Sequence, residues 1–240
     1  ALALVNGLYG LFVLPESLPK ERRTARFDLA RANPLGSLRL LRSQPDLLGL
    51  GTIGLLFQLA HTVLPTVFVL YTGYRYGWSP SIMGLTMMAT GVAGVLVQGF
   101  LVGPVVARIG ERGALMLGAA GGALGFAWYG FAPTGMAYLM GIPLFALIGF
   151  LMPGLQGLMT RRVAAHQQGQ LQGANQSLQG IASMIGPALF GLTFAWWIRH
   201  EAVLQAPGLA IYLASALLVV ALVLGTRVAR TPVSAEPRQA

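Results

Sequence analysis

The chain alternates between long apolar runs without any charged residue and short clusters of charged residues. The uncharged runs cover residues 47–74, 76–107, 113–160, 163–198 and 202–226. Because about 20 apolar residues let a helix cross a bilayer, the run 113–160 has room for two helices, separated at Pro133-Thr134-Gly135. The pattern therefore predicts six complete transmembrane helices, near 47–73, 80–105, 114–132, 136–159, 174–198 and 208–226.

The remaining segments divide the chain further. Residues 1–14 are apolar and are interpreted as the end of a preceding transmembrane helix. Residues 15–45 are predicted to form a cytoplasmic loop, 46–226 the helix bundle, and 227–240 a disordered cytoplasmic tail. Since the chain opens inside an apolar run, we expect a fragment whose upstream spans are missing. The predicted fold class is an all-α membrane protein.

Composition excludes most soluble classes. Apolar residues make up 55% of the chain and charged residues 10%, whereas a soluble protein carries about 25% charge. The net charge of +9 lies in short clusters between apolar runs, so no nucleic-acid partner is expected. There is no cysteine, and no nucleophile–base pattern or metal-binding motif indicates an enzyme, a metal site or a cofactor.

The basic residues predict the orientation of the bundle. Fourteen of the sixteen Lys and Arg residues fall in loops on one side, and only Arg75 and Arg199 fall on the other. Cytoplasmic loops of membrane proteins carry the excess of Lys and Arg. The chain is therefore predicted to lie in the inner or plasma membrane with its C-terminus in the cytoplasm.

One short element is predicted within the basic loop. Asn33-Pro34 is a typical helix start, and Leu35, Leu38 and Leu41 then share one side. The pattern predicts an amphipathic helix on the inner membrane surface. A flexible basic linker attracted to anionic lipid is the alternative.

Polar residues at membrane depth indicate a candidate substrate cavity. No Asp or Glu lies within a predicted span, whereas His61 lies near the middle of one. Gln58, His61, Thr62 and Pro65 share a helical face, which is expected to point toward protein or a water-filled cavity. His61 either titrates or binds substrate during transport, or is a neutral side chain hydrogen-bonded to a neighbouring helix.

A second polar stripe runs along one face of the fifth complete helix and the residues just before it. It consists of Gln172, Asn175, Gln176, Gln179 and Ser183. Such side chains suit either a cavity wall for uncharged or zwitterionic ligands or hydrogen bonds between helices. Gln98 and Gln156 are single polar residues within spans, and they allow the same two interpretations.

Small and aromatic residues predict packing and anchoring. The pairs Gly99–Gly103, Gly118–Gly122 and Gly121–Gly125 have the spacing that lets helices approach closely. Four aromatic residues near the outer helix ends are predicted to form an interfacial belt, namely Trp128, Tyr129, Trp196 and Trp197.

Four stretches carry a family resemblance. They are Leu14-Pro15-Glu16-Ser17, residues 103–112, Pro153-Gly154-Leu155-Gln156 with residues 168–173, and residues 185–190. Together they resemble the C-terminal half of a major facilitator superfamily transporter, in particular the tetracycline-resistance (Tet) branch of the drug:proton antiporters. The resemblance implies twelve helices in the intact protein, as two six-helix halves around a central cavity with alternating access.

The resemblance also implies roles for individual residues. The loop with Gly103, Arg108, Gly110 and Arg112 is expected to latch a cytoplasmic gate, because Gly110 allows a turn and the arginines can pair with acids or helix C-termini. Gly186-Pro187 is expected to bend its helix, since proline removes a backbone donor.

Four positions, at three sites, differ from the tetracycline exporters that the chain resembles. Gly94 and Gly122 stand where those proteins carry a His and an Asp, and Gly73-Tyr74 stand in place of an acidic pair. These differences weaken tetracycline as a substrate and leave the transporter class unchanged.

The sequence therefore predicts a secondary active exporter of small amphipathic organic compounds, coupled to protons. Its expected partners are membrane lipids, a small organic substrate, protons and the missing N-terminal half of the same protein. One alternative is a facilitator or importer of a polar metabolite, which the glutamine stripe would suit. A seven-helix receptor that transports nothing is the other alternative.

Overall fold

The computed structural model describes residue 9 and residues 34–43, 45–200 and 207–228, except the side chains of 34–37 and 166. The predicted tail after residue 228 and most of the predicted helix end at 1–14 lie outside the described residues. The unit considered below begins at Pro34.

Every described element of this unit is a helix. The α-helices are α1 (Pro34–Arg42), α2 (Pro45–His61), α3 (Val63–Tyr76), α4 (Pro80–Leu96), α5 (Val102–Phe131), α6 (Gly135–Met140), α7 (Ile142–Ala146), α8 (Leu151–Thr160), α9 (Gln168–Arg199) and α10 (Leu209–Val228). A π-helix covers Val97–Leu101, and 3₁₀ helices cover Leu147–Phe150 and Ala165–Gln167.

Among the described residues, five helical stretches are long and apolar enough to cross a membrane. They are Pro45–Tyr76, Pro80–Phe131, Gly135–Thr160, Gln168–Arg199 and Leu209–Val228. The second stretch is 52 residues long, and two helices meet within it at Gly110, where φ is 72° and ψ is 171°. The prediction of an all-helical membrane protein is confirmed.

The core forms where α5 packs against α7, α8 and α10. The close approach depends on four glycines of α5, namely Gly118, Gly121, Gly122 and Gly125. A Cβ atom at Gly125 would lie 2.6 Å from Cα of Phe145, and one at Gly118 would overlap the backbone of Leu151. The predicted tight packing at Gly118–Gly122 and Gly121–Gly125 is therefore confirmed.

The glycines that precede this core are open instead. They are Gly84, Gly91, Gly94, Gly99 and Gly103, and an added Cβ atom at any of them would meet no described atom within 4 Å. The tight packing predicted for Gly99–Gly103 thus does not occur within the described part of the chain. Most of α4 is exposed, with Met83 and Thr86 as its buried residues.

Side chains of α3 hold the end of α5. Tyr71 Oη donates to the Tyr129 carbonyl at 2.9 Å, Arg75 Nε donates to the Ala132 carbonyl at 3.0 Å, and Tyr76 Oη donates to the same carbonyl at 2.7 Å. The last carbonyls of a helix have no donor within that helix. These three bonds therefore join the ends of α3 and α5.

Two of the four predicted belt residues lie in the core. Tyr129 and Trp197 are each 1% exposed, whereas Trp128 is 38% and Trp196 is 50% exposed. Tyr129 stacks on Tyr138 with their ring centroids 4.1 Å apart. The belt prediction is wrong for Tyr129 and Trp197, because an aromatic ring enclosed by protein does not reach the lipid interface.

The helix α1 lies where the basic loop suggested a helix. It packs against α2 and α9, with Leu40 and Leu41 buried and Arg39 and Arg42 exposed. Its location on the inner membrane surface stays a prediction.

Candidate substrate cavity

A cavity of about 560 Å³ lies between two walls of the helix bundle, and His61 borders it. One wall consists of Thr90, Gly91, Gly94, Val95, Gln98 and Gly99. The other wall consists of Phe145, Ala146, Ile148 and Gly149. The volume is within the range of small-molecule sites, which is about 300–1,000 Å³.

Both walls depart from α-helical geometry at the cavity. The π-helix Val97–Leu101 carries Gln98, and the 3₁₀ helix Leu147–Phe150 carries Gly149. A Cβ atom at Gly149 would lie 3.3 Å from Cγ1 of Val97, so the two irregular segments are in close contact. Single π-helical turns are frequent at functional sites, and this one places Gln98 on the cavity wall.

His61 stands at a break in the first described span. It ends α2, Thr62 separates α2 from α3, and Pro65 has no N–H to donate to the His61 carbonyl. The imidazole lies near the Phe57 ring, with centroids 5.7 Å apart, and it has no hydrogen-bond partner among the described residues. Both ring nitrogens are therefore available to a ligand.

Sequence reasoning missed two hydroxyl groups at the cavity. Thr90 lines the wall and donates to the Thr86 carbonyl at 2.9 Å. Behind it lies the buried Tyr129 hydroxyl, which has no hydrogen-bond partner within the described part of the chain. Thr90 could have been found from spacing, because it precedes Gly94 and Gln98 by one and two helical turns on the same face.

Of the nine residues predicted to line a substrate cavity, His61 and Gln98 lie at this one. The other seven are not among its lining residues, namely Gln58, Thr62, Gln156, Asn175, Gln176, Gln179 and Ser183. The structure thus brings together residues from the first and second spans, and it leaves the glutamine stripe elsewhere.

The glutamine stripe lies on an open face of α9. Gln176, Gln179 and Ser183 are exposed, and Gln156 is exposed on α8. Helix-to-helix hydrogen bonds, the other interpretation of these residues, are not found for them among the described residues.

Thr62 and Gly186 meet where α9 crosses the break in the first span. A Cβ atom at Gly186 would overlap the Thr62 side chain. Pro187 follows inside α9, which runs as one helix from Gln168 to Arg199. The predicted bend at Gly186-Pro187 stays a prediction, whereas the close approach at Gly186 is a feature of the structure.

The predicted gate loop is held to two neighbouring helices. Arg112 Nη2 donates to the Thr226 carbonyl in the last turn of α10 at 3.5 Å, and a cation there complements the helix dipole. The adjacent Glu111 forms an ion pair with Arg161 at the end of α8.

The other residues of the loop are less constrained. Gly110 has a φ in the left-handed region, where residues with a Cβ atom are strained. Gly103 and Arg108 are exposed, and Arg108 has no polar partner among the described residues.

Gly94 and Gly122, two positions at which the sequence departs from the family that it resembles, lie in contrasting surroundings. Gly94 borders the cavity, and an added Cβ atom there would meet no described atom within 4 Å. Gly122 is enclosed, since an added Cβ atom would lie 2.7 Å from Cδ1 of Leu218 and 2.8 Å from Cγ1 of Ile148. A larger side chain therefore fits at position 94 and does not fit at position 122 unless its neighbours move.

The described residues of the cavity walls carry no fixed charge. His61 is the one ionisable side chain among the lining residues, which include no Asp, Glu, Lys or Arg. No group of three His, Asp, Glu or Cys side chains that could hold a metal ion occurs among the described residues. The interactions that these walls offer are apolar contact and hydrogen bonding.

The chain matches one protein family over most of its length. The family described as Major Facilitator Superfamily matches residues 1–187. The tetracycline resistance protein of class C from Escherichia coli is 34% identical over 201 residues, which are 81% of this chain and 50% of that protein. The class G protein from Vibrio anguillarum is 32% identical over 204 residues, 82% of this chain and 51% of that protein.

Other similarities extend to animal proteins. The human hippocampus abundant transcript 1 protein is 26% identical over 211 residues, covering 86% of this chain and 43% of that protein. The crystal structure of the human organic anion transporter MFSD10 (TETRAN) superposes with a TM-score of 0.76 at 21% identity, over 93% of this chain and 55% of that chain. This chain spans about half the length of the curated relatives that it matches.

Proposed function

The chain belongs to the Major Facilitator Superfamily, whose members are membrane transporters and not enzymes, and we propose that it forms part of a secondary active exporter of small amphipathic organic compounds. The cavity beside His61 carries the proposal, since it combines apolar walls with three hydrogen-bonding side chains inside a membrane bundle. The similarity to tetracycline resistance proteins supports export of a drug-like compound.

We infer that the described bundle contributes six spans. The stretch Pro80–Phe131 has 52 residues, far more than the roughly 20 that one span needs, and Gly110 divides it. Six spans would form the C-terminal half of a twelve-helix transporter whose N-terminal half completes the central cavity. The concentration of Arg and Lys on one side supports a cytoplasmic C-terminus.

The exposed polar face of α9 supports the proposal that this bundle forms only part of the substrate cavity. Gln176, Gln179 and Ser183 line an open side of α9, and polar groups facing lipid would be costly. In the proposed transporter they face the N-terminal half and extend the substrate pathway. The loop at Gly110 and Arg112 would latch the cytoplasmic side through its bonds to α10 and α8.

Proton antiport is the proposed energy source. The described spans place no carboxylate at the cavity, so His61 is the group of this chain that can exchange a proton with substrate or water there. Carboxylates of the N-terminal half would complete the coupling.

The test is drug accumulation in cells that express the complete gene. A drug-sensitive bacterium is loaded with a tetracycline and with several unrelated drugs, with and without a protonophore. Reduced accumulation that the protonophore abolishes is the expected result. Protonophore-insensitive uptake of a polar metabolite would instead indicate a facilitator or importer, for which the polar face of α9 is suited.

The role of His61 is tested by His61→Gln, with His200→Gln as the matched control. His200 lies at the end of α9, stacked on Trp196 and away from the cavity. We expect His61→Gln to change the pH dependence of export and His200→Gln to leave it unaltered. Identical pH profiles for both variants and the wild type would remove His61 from the mechanism.

A further inference from the structure

The Tyr129 hydroxyl is a buried polar group without a partner beside the cavity. Its ring is fixed between Tyr138 and Phe145, with centroids 4.1 Å and 5.3 Å away, and Phe145 is itself a lining residue. No described atom forms a hydrogen bond with the hydroxyl. Buried hydroxyls are nearly always paired, so an unpaired one calls for an explanation.

Thr90 lies between this hydroxyl and the cavity. Its side chain is close enough to Tyr129 to interact with the hydroxyl, and it also lines the cavity. The Thr90 proton is donated to the Thr86 carbonyl at 2.9 Å, which leaves lone pairs on Oγ1 free to accept. Oγ1 can therefore accept from the Tyr129 hydroxyl, and its own proton can leave the Thr86 carbonyl to donate to a ligand in the cavity.

The surroundings of the two hydroxyls favour an uncharged ligand. None of the described lining residues supplies a fixed charge that could pair with a cation or an anion. Moving an unpaired charge into such a site is strongly unfavourable, whereas a neutral hydroxyl or carbonyl needs one good hydrogen bond.

We propose, on the basis of the transporter function above, that Thr90 and Tyr129 form the polar subsite of this cavity and select an uncharged ligand that carries a hydroxyl or carbonyl group. Thr90 touches the ligand. Tyr129 is a positioning residue that donates to Oγ1 of Thr90 and orients its proton toward the cavity.

The test measures binding rather than transport. Protein expressed from the complete gene is placed in lipid nanodiscs, and equilibrium dialysis against empty nanodiscs corrects for partition into lipid. The probes share one ring system and differ in the polar group: 2-naphthol, 2-methylnaphthalene, 2-naphthalenesulfonate and (2-naphthylmethyl)trimethylammonium. We expect 2-naphthol to bind about tenfold more tightly than 2-methylnaphthalene, the effect of one net hydrogen bond, and both charged probes to bind more weakly than 2-naphthol.

Variants test whether the preference for 2-naphthol over 2-methylnaphthalene arises from Thr90 and Tyr129. Thr90→Val should bring the affinity ratio of 2-naphthol to 2-methylnaphthalene close to one, and Thr90→Ser should retain it. Tyr129→Phe should lower the ratio to about threefold, since Thr90 keeps its hydroxyl. Thr193→Val is the control, because Thr193 makes the same bond to its own helix on α9 and is not among the lining residues.

A larger side chain that fills the cavity distinguishes ligand binding in the cavity from ligand binding elsewhere on the protein. Gly94→Leu should abolish binding of 2-naphthol, whereas Gly84→Leu, at another open glycine of the same helix, should not. The proposal is overturned if a charged probe binds most tightly, if none of the probes binds, or if Thr90→Val or Gly94→Leu behaves as the wild type. Lack of drug export with the expected binding pattern would overturn the exporter and leave the subsite standing.

Discussion

Two rows of glycine lie on adjoining stretches of the same 52-residue segment and have opposite surroundings. In α5, the row from Gly118 to Gly125 touches the backbone of Leu151 and Phe145. The row from Gly84 to Gly103 meets no described atom at any of its added Cβ positions. One row closes a helix interface, and the other leaves a surface that borders the cavity and the exposed side of the bundle.

The comparison shows what glycine spacing can and cannot report. Both rows contain the spacing that permits close helix contact, so the sequence predicted packing at each. The spacing shows only that backbone is accessible. Whether a helix, a ligand or the other half of a transporter uses the accessible surface depends on partners that local sequence does not identify.

The largest expected effect is at the closed row. In Gly125→Ala the new methyl group meets Cα of Phe145, and because backbone atoms cannot yield, we expect a loss of about 3 kcal/mol in the free energy of unfolding. Unfolding in mixed micelles with increasing SDS measures it, with Gly84→Ala as the control. Equal stability of the two variants would remove the distinction between the rows.

A smaller effect is expected where the obstacle is a side chain. Gly186→Ala places a methyl group on Thr62, and we expect a cost of about 1–2 kcal/mol because overpacked cores lose stability. Thr62→Ala removes two of the three obstructing atoms, Oγ1 and Cγ2, so the double variant should be more stable than Gly186→Ala alone. The same SDS titration, arranged as a double-mutant cycle, gives the coupling energy; strict additivity would show that the two positions do not interact.

Gly110→Ala isolates backbone conformation from packing. An added Cβ atom there meets no described atom within 4 Å, yet φ is 72° and ψ is 171°, a combination that is essentially restricted to glycine, so we expect at least about 1 kcal/mol of destabilisation from strain alone. Gly103→Ala, in the same loop region without a positive φ, is the comparison. The difference in apparent Tm between the two purified proteins checks the prediction, and a Gly110→Ala protein as stable as Gly103→Ala would refute it.

The smallest effect on stability is expected in the open row. Gly91→Ala and Gly84→Ala should each raise the free energy of unfolding by about 0.5 kcal/mol, because alanine is favoured over glycine inside a helix. They should differ in ligand binding, because Gly91 lines the cavity and Gly84 does not. Dialysis with 2-naphthol separates them; indistinguishable affinities would place the ligand away from Gly91.

Most helix ends were predictable from sequence because charged clusters lie at the ends of several spans. Such clusters bound Pro45–Tyr76, Gln168–Arg199 and Leu209–Val228, whereas Pro80–Phe131 continues through the cluster at 108–112. The predicted break at Pro133-Thr134-Gly135 falls where α5 ends and α6 begins. A helix in lipid must satisfy its own backbone, so a long apolar run allows little else. The π-helix at Val97–Leu101 was not predictable from the apolar pattern; it lies against the 3₁₀ helix that follows α7, a contact that the local sequence does not reveal.

The candidate site was predictable only in part. His61 and Gln98 were found because polar groups are rare at membrane depth. Thr90 was missed because threonine often bonds to its own helix and stands out little in an apolar run. Tyr129 was assigned to the lipid interface because its position near a helix end is typical of a belt residue, whereas the structure buries it against Tyr138.

The break at Thr62 divides the first span into two segments with separate attachments. One segment, α3, is tied to the end of α5 through Arg75 and Tyr76, and the other segment, α2, packs against α10 and α9. The span can therefore bend at Thr62, between two segments that are each fixed to other helices. Because Thr62 is next to His61, bending there would rotate the imidazole relative to any ligand in the cavity.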